Sequence, residues 1–492
     1  MPIKSPKTSA VACFLLALCL ASLSAHGQAA FTSMASFTYT NLPDYGSFGA
    51  GYRSAAMVQA NDGNLYGATP TGGPNTNVPG YFGTLFKMTP DGAFSTLYLF
   101  GTDFNPNTGF DNGHWPQGNL IQGTDDFLYG TTQFGGAPNG GTIFQISTEG
   151  DLYTLYTFGG NAAYDSQLSA MTNYDGASPV AGLVQGRDGN FYGTTYNFGP
   201  YGNGTIFQLT PSITFLVTNL HSFTALDPVA DYENADGANP IGELIQGKDG
   251  SFYGTTTEGG TNAYGAGTVF KITTGGLFTT LHSFSSADGS PIGGLVQAND
   301  GNLYGTISGG FGAIFRISTN GTFTRLHTFS GPDGLIPYAA LILGSDGNLY
   351  GTTDSGGSNG GYGTVFQMTT NGVVTTLHAF NGSDGSTPTA ALVQASDGSL
   401  YGTTTKGAAG YGTIFRIVIP PAFQTVSLTN GGVEMTWSAI SNQTYQLQYS
   451  TSLGSTNWSD LGSPATATNS SLSALDFPVP DLQRFYRIKL LQ

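Results

Sequence analysis

The sequence predicts an all-β fold: a seven-bladed β-propeller of four-stranded blades, closed by an N-terminal strand and followed by a small C-terminal β-sandwich. Three observations carry this. First, a Leu-Tyr-Gly or Phe-Tyr-Gly phrase recurs seven times, at Tyr66, Tyr129, Tyr192, Tyr253, Tyr304, Tyr350 and Tyr401, with spacings of 63, 63, 61, 51, 46 and 51 residues. Second, each unit divides into short apolar or alternating segments separated by turn residues, the pattern of four antiparallel strands. Third, the 74 Gly are interleaved with 33 Phe and 26 Tyr, which suits packed strands rather than a disordered or collagen-like chain. Tandem units of this kind form radial arrays.

The elements follow in order. Lys4 and Lys7, an apolar run over 11–23 and the small residues around Ala25-His26-Gly27 read as a secretory signal over 1–27, with cleavage after Gly27 or after Ala29. The propeller is expected over 30–419. One unit shows its plan. Gly294 to Ala298 is the first strand, Asn299-Asp300-Gly301-Asn302 a hairpin turn and Leu303 to Ile307 the second strand. A Gly-rich loop, a third strand from Ala313 to Ile317, a turn and a fourth strand from Thr322 to Phe329 complete it. Phe31 to Phe37 (FTSMASF) aligns with Phe323 to Phe329, so residues 31–38 are expected to supply the fourth strand of the last blade. Such closure pairs an otherwise open edge.

The repeated Tyr is expected to pack between neighbouring blades, and the Gly after it to let a backbone come close. Gln59, Gln122, Gln185, Gln246, Gln297 and Gln394 recur near the end of the first strand, with Leu343 in the sixth unit. They are read as partners of backbone groups in the next blade, the alternative being a ring of amides around the channel. Repeats stop before Pro420-Pro421. Residues 422–492 read as a fibronectin type III or immunoglobulin-like sandwich, with strands at 424–429, 433–437, 445–450 and 485–491 and a core from Trp437, Tyr445 and Trp458, the last with sugar stacking as its alternative role.

Composition excludes several functions. Cys13 and Cys19 both lie in the signal, so the processed chain has no disulfide, thiol nucleophile or cysteine metal site. It carries 12 basic against 30 acidic residues, which disfavours nucleic acid and anionic lipid as partners. No further stretch is long and apolar enough for a membrane span. Gly356-Gly357-Ser358-Asn359-Gly360 matches a nucleophile-elbow pattern but lies in a loop between strands. No Gly-Lys-Ser/Thr follows the Gly-rich loops. His221, His282, His327 and His378 share one position on the outermost strand and are read as surface residues too dispersed to ligate zinc. No D-x-D-x-D-G calcium loop occurs, although one acidic loop holding calcium stays open. No cofactor and no metal is expected.

The phrase Asp-Gly-Asn-Leu-Tyr-Gly-Thr at 300–306, Gly-Thr-Val-Phe at 363–366 and Thr-Leu-His-Ser-Phe at 280–284 resembles the GloVer tandem repeat. The resemblance spans roughly residues 31–418. It implies an exported bacterial protein of the choice-of-anchor group, placed in the periplasm, at the cell surface or outside the cell, with no assigned activity. The final residues 484–492 form a strand-like segment with no apolar span after it, a departure from the anchoring tails of that group.

Strand alternation sorts the loops onto two faces. Second-to-third loops and inter-blade connections share one, and the connections over 101–118, 159–181 and 224–241 are long and aromatic. Binding concentrates on loops held by a rigid scaffold. The candidate ligand residues there are Asp111, His114, Trp115, Tyr174, Asp175, Tyr232, Glu233 and Asp236, with Phe82, Phe311, Tyr362 and Tyr411 preceding third strands. Aromatic rings beside carboxylates suit a neutral glycan; another envelope component is the second partner class, and the chain is expected to be a monomer. The expected function is non-catalytic binding or adhesion. The alternative is a glycosidase or lyase, for which Glu233 with Asp175 or Asp111 are the pairs to consider.

Overall fold

The computed structural model describes residues 29–37, 56–71, 82–101, 104–105, 109–110, 112–137, 139–159, 163–165, 170–211, 215–227, 233–262, 264–407, 412–421, 423–429, 432–440, 443–452, 457–469, 471–477 and 484–491. The signal segment, Asp111, Tyr232 and Tyr411 lie outside them. The described residues form strands and turns, with no helix.

Between residues 30 and 418 they build seven four-stranded antiparallel sheets, the first six running in sequence order from an inner to an outer strand. The fifth sheet is typical: Val296–Gln297, Leu303–Ile307, Ala313–Ile317 and Phe323–Thr328. In the seventh, Val393–Gln394, Leu400–Thr403 and Thr413–Val418 are completed by Ala30–Ser36, which pairs with Thr413–Val418 from Ala30↔Val418 to Ser36↔Thr413. The first strands are two residues long rather than the five read from the sequence. Their ends are diverted: the next N–H groups go to the hairpin and to the neighbouring sheet.

Alternation dictates the core. Second strands are buried on both faces, and third strands bury all but one of their core residues, as in LYGTI and AIFRI. Each apolar cluster spans two consecutive sheets. Tyr66 and Leu85 pack with Leu128 and Phe144 of the second sheet. The series returns to its start where Met57, Leu65 and Phe86 pack with Ala395, Tyr401 and Ile414 of the seventh.

Two repeated residues have roles the sequence shows only in outline. Every repeated Tyr is buried, and its hydroxyl donates to the Asp of its own hairpin. The bonds run from Tyr66 to Asp62 at 2.7 Å through Tyr304 to Asp300 at 2.7 Å to Tyr401 and Asp397 at 3.3 Å. Burial, with the carboxylate beside it, pushes the Tyr192 and Tyr401 phenols up to about 12. The following Gly makes room for a ring rather than a backbone. In each sheet a Cβ there would strike the Phe directly opposite on the third strand, as Gly305 would Phe315 at 2.5 Å.

The glutamines bind backbone between sheets. Gln122 Oε1 accepts the Asn61 N–H at 2.8 Å, Gln185 that of Thr124, Gln246 that of Arg187, Gln297 that of Lys248, Gln394 that of Ser345 and Gln59 that of Ser396. The partner is the hairpin of the preceding sheet. Each amide also donates to its own hairpin, as Gln297 Nε2 does to Gly301 O at 2.8 Å.

The C-terminal unit has two sheets. Phe423–Thr429, Gly432–Ser438 and Ser471–Asp476 form one; Thr444–Ser450 pairs with Phe485–Leu491, Ser459–Asp460 and Ala465–Thr466 in the other. Met435, Trp437, Tyr445 and Leu447 are its buried centre. Trp458 is not among them: it is half-buried, with the Arg487 guanidinium 4.5 Å from its ring centre.

Candidate functional site

The connections between sheets are built on Asp-Gly turns, with Asn112-Gly113 in the first, and most of them end in Pro. The residue before that Pro takes the left-handed conformation at Trp115 (φ 61), Ser178 (57), Asn239 (57), Ile336 (55) and Thr387 (57). This turns its N–H back to the loop of the preceding sheet: Trp115 donates to Phe82 O, Ile336 to Phe311 O and Thr387 to Tyr362 O. A Thr opening the third strand holds the turn from behind, as Thr205 Oγ1 donates to Asp175 O at 3.0 Å and Thr268 Oγ1 to Asp236 O at 3.1 Å. The turn glycine is obligatory there, since a Cβ on Gly176 would collide with Thr195 Oγ1.

The acid of the turn faces the outermost strand of the preceding sheet. Tyr156 donates to Asp175 at 2.8 Å, and His221, His327 and His378 bond Asp236, Asp333 and Asp384 at 2.9, 2.7 and 3.0 Å. These histidines are therefore not the surface strand residues the sequence implied. His221 stacks on Phe278 at 3.9 Å, His282 on Phe323 at 4.1 Å and His378 on Phe31 at 3.8 Å, because sheet-to-sheet packing extends out to the fourth strand. Burial lowers the pKa of His282 and His378, and that of His114 to about 4.

The described site residues are distributed as follows. Phe82, His114 and Trp115 come together where the first two sheets meet: His114 lies edge-on to Phe82 at 5.4 Å, and Trp115 edge-on to Phe134 at 5.4 Å. Asp175 and Asp236 are engaged as above, and Asp236 also accepts the Thr224 N–H at 3.1 Å. The Glu233 backbone bridges to Asp227, leaving its side chain half-buried. Tyr174, Phe311 and Tyr362 are 69, 63 and 43 % exposed.

Sequence reading missed two rings of the same kind. Tyr201 and Tyr264, in the second-to-third loops of the third and fourth sheets, are 44 and 67 % exposed. The signal was Tyr-Gly-x-Gly-Thr at 201–205 and 264–268, offset by two residues from Phe311 and Tyr362. Four consecutive sheets thus each raise one ring on this face. Tyr362 is backed by glycine: a Cβ on Gly382 would sit 3.2 Å from its ring.

At the centre of the face, where the first strands begin, a recess of about 50 Å³ is lined by Asn119, Glu243, Gly294, Ala340, Thr389 and Ala391 among others. Glu243 Oε1 accepts the Asn119 N–H at 3.1 Å, and Asn119 Oδ1 accepts the Ala56 N–H at 2.7 Å. Sequence reading did not single out Glu243. Among the described residues, no group of three or more His, Cys, Asp or Glu is arranged to hold a metal ion. Nor is any helix long and apolar enough to cross a membrane.

Among solved structures, the chain is similar to the extracellular domain of a putative hybrid two-component system from B. thetaiotaomicron (10 % identity, TM-score 0.45), covering 94 % of this chain and 55 % of that one. This chain thus spans little more than half of that domain. It is also similar to an alpha-L-arabinanase from Penicillium chrysogenum (12 % identity, TM-score 0.41, 79 % of this chain and 99 % of that one). A putative oxidoreductase (glucose dehydrogenase) from Thermus thermophilus is a third (14 % identity, TM-score 0.39, 62 % and 96 %). No curated protein matches the sequence. The Gloeobacter/Verrucomicrobia repeat matches at residues 25–172, 161–341 and 263–457, and with most of its length so covered the chain belongs to that repeat family.

Proposed function

We propose that the seven sheets are the blades of a closed propeller over 30–419, that residues 422–492 form a separate sandwich, and that the protein is exported and binds a neutral glycan without catalysis. The observation that carries the reading is the row of exposed rings at Tyr201, Tyr264, Phe311 and Tyr362, one per consecutive sheet on the long-loop face. Rings of this size left in water on clamped loops are platforms for the apolar faces of sugars. The connections over 100–120, 158–183 and 223–244 contain no Lys or Arg, which disfavours an anionic ligand. Tyr174 extends the row; Asp111 and Glu233 are the acceptors we assign, and Phe82, His114 and Trp115 form a packed base. The basic start and apolar run of residues 1–27 support export to the envelope or beyond.

A glycan array with the processed chain, with reducing-sugar release followed in parallel, tests this. Neutral glycans should be retained and no sugar released. Tyr362→Ala should weaken retention about threefold to tenfold, the worth of one stacked ring, with an unchanged melting temperature. Trp115→Ala should lower the melting temperature instead. An array with no retained glycan would sink the reading.

A further inference from the structure

The four exposed rings are placed alike. Tyr201, Tyr264, Phe311 and Tyr362 each stand in the loop between the second and third strands of their sheet, so they share one radial level on the face. Three of these loops are pinned in the same way. Asn203 Nδ2 donates to Thr224 O, Asn262 Nδ2 to Ser283 O at 2.6 Å and Asn359 Nδ2 to Ala379 O at 2.9 Å. Each tie reaches the end of the sheet's own fourth strand, or just past it. Phe82, in the equivalent loop of the first sheet, is instead half-buried against His114. Tyr264 adds a sign of its own. Its backbone is left-handed (φ 58), which costs a bulky residue free energy, and with its ring 67 % exposed little packing offsets that cost. Strain kept under an exposed ring marks a ligand contact.

The spacing of the rings bounds the ligand. Sheets packed face to face stand about 10 Å apart, so successive rings are separated by that distance or more. The whole row is therefore longer than a disaccharide. It is also an arc, since the sheets follow one another around an axis. Seven-fold spacing sets the two middle rings off the line between the end rings by most of one ring-to-ring step. A straight chain can lie on two neighbouring rings, whereas a chain that bends can lie on all four. The ring-bearing loops, 196–204, 256–267, 308–312 and 354–363, contain no Lys or Arg, which suits an uncharged chain.

We propose that the four rings seat one continuous glycan chain, several units long, uncharged and curved, of the shape that α-1,4-linked glucose makes and β-1,4-linked glucose does not. This rests on the reading above of a closed ring that binds neutral glycan. Maltose, maltoheptaose, soluble amylose and cellohexaose, titrated by calorimetry, test it. Maltoheptaose should bind about tenfold or more tightly than maltose or cellohexaose, because each further ring engaged acts within the same chain. Tyr201→Ala and Tyr362→Ala, at the two ends of the row, should each weaken amylose binding about threefold to tenfold and maltose binding much less. Tyr264→Gly should weaken amylose binding as much while the melting temperature holds or rises, since glycine takes the left-handed conformation without strain. Loss of stability in that variant with amylose binding unchanged overturns the proposal. Equal binding of maltose and maltoheptaose, or cellohexaose bound as tightly as maltoheptaose, also overturns it and leaves the glycan reading standing. If none of the four binds, the proposal falls and the glycan array decides the reading beneath it: any retained neutral glycan keeps that reading, and none overturns both.

Discussion

The junction between the fifth and sixth sheets and the junction between the seventh and first are built from the same repeat but held differently. At the second, Gln59 ties its own hairpin to the Ser396 N–H, and the N-terminal strand adds Met34, Ala35 and Phe37 to the cluster. At the first, Leu343 stands where the glutamine would be and packs with Val296 against Tyr304, Leu341 and Phe366. Both junctions are buried and continuous. The difference teaches that apolar area between sheets is what holds them, while the amide fixes register and satisfies an N–H that would otherwise need water.

The most damaging way to break the comparison is to delete residues 28–40. This removes the fourth strand of the seventh sheet, the Phe31 ring stacked on His378 and the Phe37 ring against Phe86. The melting temperature should fall on the order of 10 °C or more, and the open edge should promote association visible by light scattering. A monomeric product of unchanged stability would show that this junction does not need its strand.

Gln59→Leu makes the closing junction resemble the fifth-to-sixth. It leaves the exposed Ser396 N–H to water, so denaturant unfolding should show a loss of about 0.5–1.5 kcal/mol. No loss would mean water replaces the amide freely.

Acid acts on several junctions together. Burial lowers His114, which lies between Phe82 and Phe134, to about 4, and lowers His282 and His378 as well. The unfolded chain then takes up protons first as pH drops from 6.5. The stability held by neutral histidine is complete above 6.5 and is lost on the way down toward 4. Melting temperature measured from pH 7.5 to 4.5 should decline over that window, and His114→Phe should flatten the decline. A flat profile would place these rings in water.

The smallest expected effect is a gain. Leu343→Gln should give the sixth sheet the missing link to the fifth and add up to about 1 kcal/mol. A loss would show that the leucine side chain is worth more there than the bond.

Much of the fold was legible because the repeat states it seven times. Asp-Gly marked the hairpins, and FTSMASF marked the strand that completes the seventh sheet. What was not legible depends on side chains meeting across sheets. The histidines read as surface because an alternating outer strand normally faces water on one side; here the next sheet covers it. The Phe opposite each Leu-Tyr-Gly glycine is invisible until the strands are paired. The exposed rings were half-found, since Phe311 and Tyr362 stand one glycine before their strands while Tyr201 and Tyr264 sit two residues deeper in their loops. Glu243 carried no sequence signal as one of 30 acids. Only the return of the chain around an axis puts it opposite Asn119.

The pairing of Ala30 with Val418 also sets an order of events during synthesis. The outermost strand of the last sheet is made before the strands it will join, and its partner emerges 388 residues later. Throughout that interval the segment has nothing to pair with, and each completed sheet offers its neighbour's face to solvent. Contacts of such separation are slow to form and expose sticky edges meanwhile. The seventh sheet can therefore be completed only when residues 30–36 return to Thr413–Val418.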